Sequence, residues 1–295
     1  MAKEVISRMS TTAAAVRLRQ ITDADLAAIA ELLSEGFPNR SKAYWLRGLD
    51  RMRMRSRPGE YPTYGYLLES NDGPVGVILL FFSKALSACG PIIRCNVSSW
   101  YVRAEFRIYA SLLITATTRD RSVTYYNISA LPHTWPTVEA QGFSAYCRGQ
   151  IYALPVLRRA VSPAQIELFD DAMASPDVPD REILKQYSAT GSLSLFLRYH
   201  DESYPFVFQR QYLKRAVPIY RLAYCRDIEE FIRFAGNLGR FLLKRGSILV
   251  QLDANAPIPA LVGWYTERRG RKFAKGPHPP RLGDLSSAET AFFDN

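Results

Sequence analysis

The sequence predicts an α/β protein of the α+β kind: a mixed, mostly antiparallel sheet with helices on both faces, with the fold duplicated along the chain. Three observations carry this. The first half reads β-α-α-β-β-β-α-β-α-β, and runs of strands ahead of a βαβ unit point to a mixed sheet. The order β-β-β-α-β recurs between residues 193 and 253. A chain of 295 residues, 47% apolar and 12% aromatic, has enough core-forming material for two domains. The expected domains are 1–155 and 156–295, the second a partial or degenerate copy.

Each element has its own signal. Val16 to Ile21 alternates as a strand does, and Thr22-Asp23-Ala24-Asp25 offers caps to the helical pattern Leu26, Ile29, Ala30, Leu33. A second helix is expected from Ser41 to about Met52. Strands follow at 64–69 and 75–82 around the turn Asn71-Asp72-Gly73. Further elements are a strand at 92–102, a helix at 107–120, a strand at 123–128, a short helix at 134–141, and one last strand from Ala145 to Leu154. In the second half, two helical stretches are expected to flank Ser175-Pro176-Asp177-Val178-Pro179. Strands follow at 193–199, 205–212 and 218–224, then a helix capped by Asp227 and a strand at 247–253. The Pro- and Gly-rich residues 276–295 read as loop with a short terminal segment.

Composition narrows the function classes. The net charge of +10 favours an anionic ligand without naming it, and no long Lys/Arg block suggests a nucleic-acid tail. The four cysteines (Cys89, Cys95, Cys147, Cys225) form no C-x-x-C pair and only three histidines accompany them, so no metal site is expected. No apolar run reaches the roughly 18–20 residues of a membrane span, and no leader-like apolar segment precedes Ala13. A cytoplasmic protein with reduced thiols is expected.

The stretch Ser98-Ser99-Trp100-Tyr101-Val102-Arg103-Ala104-Glu105-Phe106-Arg107, with Asn127 on the next strand and Gly142-Phe143 closing the next helix, resembles the GCN5-related N-acetyltransferase (GNAT) superfamily. The resemblance covers roughly residues 15–155. It implies that the strand end Trp100, Tyr101 and Val102 and the turn Arg107, Ile108, Tyr109, Ala110 and Ser111 bind acetyl-CoA or a longer acyl-CoA as substrate. The physical basis is general: backbone N–H groups at a helix start, with the helix dipole behind them, hold a pyrophosphate. Two departures stand out: Leu112 occupies a position where the family has a small residue, and Val138 occupies that of a frequent tyrosine acid. Two such folds in tandem are similar to mycothiol synthase and the FemABX aminoacyl transferases.

With no carboxylate on the fourth strand, catalysis is expected to lean on positioning, with Asn127 and Tyr146 as the polar groups at the thioester. Tyr125 and Tyr126 are read first as packed tyrosines, His133 as a loop histidine, and Arg51, Arg53, Arg55 and Arg57 as a solvated charged stretch. The reading is an acyltransferase moving an acyl group from acyl-CoA to a small or anionic amine or hydroxyl acceptor by direct attack. The alternative is a non-catalytic GNAT-fold binding protein. A tRNA-dependent aminoacyl transferase would use the positive charge but lacks an evident RNA module.

Overall fold

A computed structural model describes residues 16–55, 57–87, 90–171, 180–213, 216–286, 289 and 293. Its elements are β1 (Arg17–Gln20), α1 (Leu26–Gly36), α2 (Lys42–Met54), β2 (Gly65–Ser70), β3 (Gly73–Ser87), β4 (Gly90–Val102), α3 (Ala110–Thr117), β5 (Thr124–Asn127), α4 (Trp135–Ala140), β6 (Ser144–Cys147) and β7 (Gly149–Ala153). Then come β8 (Ala164–Leu168), α5 (Arg181–Ala189), β9 (Leu193–Tyr199), β10 (Glu202–Leu213), β11 (Val217–Cys225), α6 (Ile228–Leu243), β12 (Val250–Ala254), β13 (Gly263–Thr266) and β14 (Lys272–Lys275). Two seven-stranded mixed sheets result, ordered β1-β2-β3-β4-β5-β14-β6 and β13-β7-β12-β11-β10-β9-β8. The duplicated order holds: each sheet carries a meander, a helix, and a strand parallel to the last of the meander, β4 with β5 and β11 with β12. No described helix is long and apolar enough to cross a membrane.

The described chain divides into two compact units, with boundaries within β3, within β4 and between α3 and β5. The first runs to Lys84 and adds Val97–Arg121; the second takes Ala85–Asn96 and the residues from Ser122 on. In the first unit α1 buries Ile29, Ala30, Leu32 and Leu33, and α2 buries Trp45, Leu49 and Met52. Arg19 on β1 forks between Asp25 and Glu69 with four hydrogen bonds of 2.6–2.9 Å. In the second unit α6 buries Phe231, Phe234, Ala235, Leu238 and Leu242, the i, i+3, i+4 stripe that its sequence announces, against Leu195, Phe206, Phe208 and Leu252.

The structure corrects several sequence expectations. Residues 145–154 are two strands in two sheets. Gly149 approaches Thr266 so closely that a Cβ would collide with its carbonyl, and the Arg148 N–H goes to Asn255 at 2.7 Å. The chain therefore passes from one sheet to the other at Arg148, between β6 and β7, and β14 returns to the first sheet. The first of the two helices expected around Pro176 is instead β8, whose alternating A-Q-I-E-L pairs antiparallel with β9; residues 172–179 themselves lie outside the description. The helix expected from Arg107 starts earlier, as a 3-10 turn over Ala104–Tyr109. It ends at Thr117, where the hydroxyls of Thr117 and Thr118 bond back to the carbonyls of Leu113 and Ile114. Strands β13 and β14, four residues each, had no counterpart in the sequence reading.

Candidate functional site

In the first unit the site begins on β4. Ser99 sits at φ +48°, the left-handed region that non-glycine residues rarely adopt, and so turns the strand before its last three residues. The parallel pairing of β4 with β5 covers only Arg94–Asn96, ahead of that turn. Beyond it, Val102 is buried against the Cα of Gly76 and Tyr101 lies flat on Gly36, where any Cβ would strike the ring. The Tyr101 hydroxyl donates to Glu35 at 3.0 Å, and Arg103 forks onto the same carboxylate at 2.9–3.2 Å. The hydrogen bonds from Arg103 hold the Glu35 carboxyl below its ordinary range. This brace was not legible in the sequence. The Trp100 indole N–H is buried and has no acceptor.

The 3-10 turn then carries Arg107 and Ile108 outward, Ile108 being 79% exposed, and Ala110 and Ser111 open α3 at the surface. Arg107 makes no ion pair among the described residues, and no acidic residue occupies the first turn of α3. A free guanidinium beside the start of α3 is an arrangement that accepts phosphate oxygens, although the 3-10 turn before it carries Glu105 in its own first turn. Leu112, 43% exposed, points its side chain outward rather than into the core. The corresponding helix of the second unit is different. The start of α6 is capped by Asp227, whose side chain accepts from the Glu229 N–H, and carries Glu229 and Glu230 in its first turn. Negative charge already fills that helix start, so a phosphate is disfavoured there. The Asn237-Leu238-Gly239 segment of α6 has a packing role: Asn237 bonds both the N–H and the C=O of Val161, and Gly239 admits the backbone of Val156.

In the second unit Asn127 ends β5, and its Oδ1 accepts the Ser129 N–H at 3.1 Å. Tyr146 is the extra residue where β6 slips against β14. Its hydroxyl is buried without a partner beside Tyr126, Ile128, Ala274 and Leu285, and burial, then the charge of Asp253, pushes it well above the usual phenol range. Tyr146 was expected beside the end of the 123–128 strand. The Tyr146 side chain does pack against Tyr126 and Ile128 there, but β14 lies between the two backbones, with Phe273 opposite both Asn127 and Ala145, so the two strands are about 10 Å apart. Val138 is buried at the tyrosine position, and His133 is exposed. Arg53 pairs with Asp50, and Arg55 stacks over Phe81. Cys95, Cys147 and Cys225 are buried free thiols, Cys89 lies outside the described residues, and no metal-binding cluster occurs among the described residues.

Asp284, Leu285, Ser286 and Glu289 are tied into this unit by polar contacts. Arg94 pairs with Asp284 at 2.7 Å, both side chains more than nine-tenths buried. Burial alone would raise the Asp284 carboxyl, but the charges of Arg94 and Arg281 overrule it and hold it below its ordinary range. Asn96 donates to Tyr126 O and accepts the Glu289 N–H, while the Tyr126 and Tyr187 hydroxyls bond the carbonyls of Ser286 and Leu285.

No family model and no curated protein matches the chain. Solved structures do. A protein from Enterococcus faecalis V583 titled "Probable N-Acyltransferase" superposes with a TM-score of 0.59 at 10% identity, over 92% of this chain and 74% of that one. GCN5-related N-acetyltransferases from Anabaena variabilis (TM-score 0.54, 9% identity, 88% and 72% covered) and Kribbella flavida (0.54, 11%, 88% and 71%) match similarly. At these identities the likeness concerns architecture, and it extends over both sheets: the chain has the fold of the GCN5-related N-acetyltransferases.

Proposed function

We propose that this protein is an acyltransferase that moves an acyl group from acetyl-CoA or a longer acyl-CoA to an amine or hydroxyl acceptor. The observation that supports it most is the turn from β4 into α3, where the left-handed Ser99 is followed by the unpaired Arg107 and by an α3 whose first turn carries no acidic residue, Glu105 lying in the 3-10 turn before it. Arg107 and the backbone of Phe106–Ser111 hold the pyrophosphate. The thioester supplies the activated acyl group. Backbone N–H groups of β4 past Ser99 hydrogen-bond the oxyanion that forms when the acceptor attacks. The acceptor's lone pair forms the new C–N or C–O bond, the C–S bond breaks, and the thiolate takes up the acceptor's proton. Tyr146, its hydroxyl buried beside Tyr126, Ile128, Ala274 and Leu285, is disfavoured as the acid, because burial pushes it well above the usual phenol range and makes proton release uphill. The second unit, with its helix start occupied by Asp227, Glu229 and Glu230, contributes no second pyrophosphate site.

Thiol release from acetyl-, butyryl- and octanoyl-CoA, followed over a panel of amine and hydroxyl acceptors, tests the reading. Turnover above the hydrolysis background that falls in Arg107→Ala is expected. The buried Val138 in place of a tyrosine favours a second reading, a binding protein of the same fold; saturable acyl-CoA binding with no turnover for any acceptor would select it.

A further inference from the structure

A cavity of about 450 Å³ lies in the second unit, lined by Gly191, Ser192, Leu193, Arg210, Tyr220 and Arg245. It belongs to the end of the sheet where β11 begins and α6 finishes, opposite the strand-to-helix turn at Arg226-Asp227. Its polar side chains, Ser192, Arg210, Tyr220 and Arg245, all carry donors, and none is a carboxylate. Arg210 and Arg245 have no carboxylate partner among the described residues; Arg245 lies flat over Phe241 at 3.7 Å and Arg210 leans on Tyr212 at 5.7 Å, so aromatic rings, not carboxylates, orient both guanidiniums. Ser192 is nine-tenths buried, and its Oγ has no hydrogen-bond partner among the described residues. The helix ends nearby do not compete for these donors. The last carbonyls of α6 accept the N–H groups of Lys244, Arg245, Gly246 and Ser247, and Tyr187 and Ser188 of α5 accept those of Thr190, Gly191 and Ser192.

A pocket of two unpaired guanidiniums and a buried orphan hydroxyl is rich in donors and has no carboxylate in its lining, and an oxyanion supplies the matching acceptors. Guanidinium pairs match phosphate oxygens in geometry and charge. The volume exceeds what an inorganic ion fills and falls in the range of small-molecule sites, roughly 300–1,000 Å³. Leu193 and the ring of Tyr220 provide an apolar wall for an organic portion. We propose that this cavity is a binding site for a small phosphomonoester, its phosphate held by Arg210 and Arg245 and hydrogen-bonded by Ser192 Oγ.

The test is calorimetric titration of the full chain, without acyl-CoA, with inorganic phosphate, with glycerol 3-phosphate, glucose 6-phosphate and AMP, and with glucose as the uncharged control. One-to-one binding of at least one ester, tighter than phosphate, is expected. Arg210→Ala and Arg245→Ala should each weaken it about tenfold or more, the scale of a hydrogen bond to a charged group, and Arg210→Lys should retain part of it. Ser192→Ala should weaken binding several-fold without lowering the melting temperature, since it removes a hydroxyl that has no partner in the free protein. The inference does not rest on acyl transfer: Arg107→Ala should leave it unchanged. It is overturned if no ester binds saturably, if inorganic phosphate binds as tightly as every ester, or if both arginine variants bind like wild type.

Discussion

Arg94→Met should be among the most damaging single substitutions in the second unit. The variant leaves Asp284 buried with its nearest countercharge gone; Arg281 remains, but its guanidinium is engaged with the Cys225 carbonyl and the Tyr224 ring. Breaking a buried pair by removing one partner costs about 3–5 kcal/mol, which for a chain of this size lowers the melting temperature by roughly 10 °C. The pH dependence separates this mechanism from a simple packing defect. In the wild type Asp284 is held below its ordinary range, so it contributes stability above the unfolded pKa of about 4 and loses it as pH falls below that value. In Arg94→Met burial dominates and the carboxyl titrates higher; the penalty is full at pH 7 and shrinks as the acid protonates. Urea unfolding at pH 7 and pH 4.5 should therefore show a gap between variant and wild type that narrows on acidification. Arg94→Met/Asp284→Leu should recover a large part of the loss at pH 7. A gap below 1 kcal/mol at pH 7, or one equally large at both pH values, would refute the reasoning.

Other variants probe other links. Arg19→Met removes the fork to Asp25 and Glu69 and should cost about 1–2 kcal/mol at pH 7 after solvent screening. Both carboxyls are depressed by their hydrogen bonds to Arg19, so the cost should disappear as pH falls below about 4, read as converging acid-unfolding curves. Gly239→Ala drives a methyl into the Val156 backbone and should cost about 1–3 kcal/mol by thermal denaturation. Tyr146→Phe removes a buried hydroxyl without a partner; stability should hold or rise, while turnover falls by about 10² if the hydroxyl bonds the reacting groups. Unchanged turnover removes it from the mechanism.

What the sequence conveyed follows from range. The stripe Phe231, Phe234, Leu238, Leu242 and the cap at Asp227 are local signals, and the structure keeps both. The A-Q-I-E-L segment was misread as helix because five residues are too few for periodicity to decide. Strands β13 and β14 are shorter still, and β14 exists because distant strands β5 and β6 hold it on either side. That insertion is what separates Tyr146 from Asn127. The β4–α3 turn was visible because its residues are contiguous from Ser98 to Ser111. The cavity of Ser192, Arg210, Tyr220 and Arg245 was not, since those residues come from separate elements and no spacing links them.

The acyl-CoA assignment is tested most directly by titrating acetyl-CoA and octanoyl-CoA into the wild type and Arg107→Ala by calorimetry. Saturable binding with one site per chain is expected, weakened about 10- to 100-fold in the variant, as loss of a charge-assisted hydrogen bond to pyrophosphate requires. Two equivalent sites per chain, affinity unchanged by Arg107→Ala, or no binding of either acyl-CoA would contradict it.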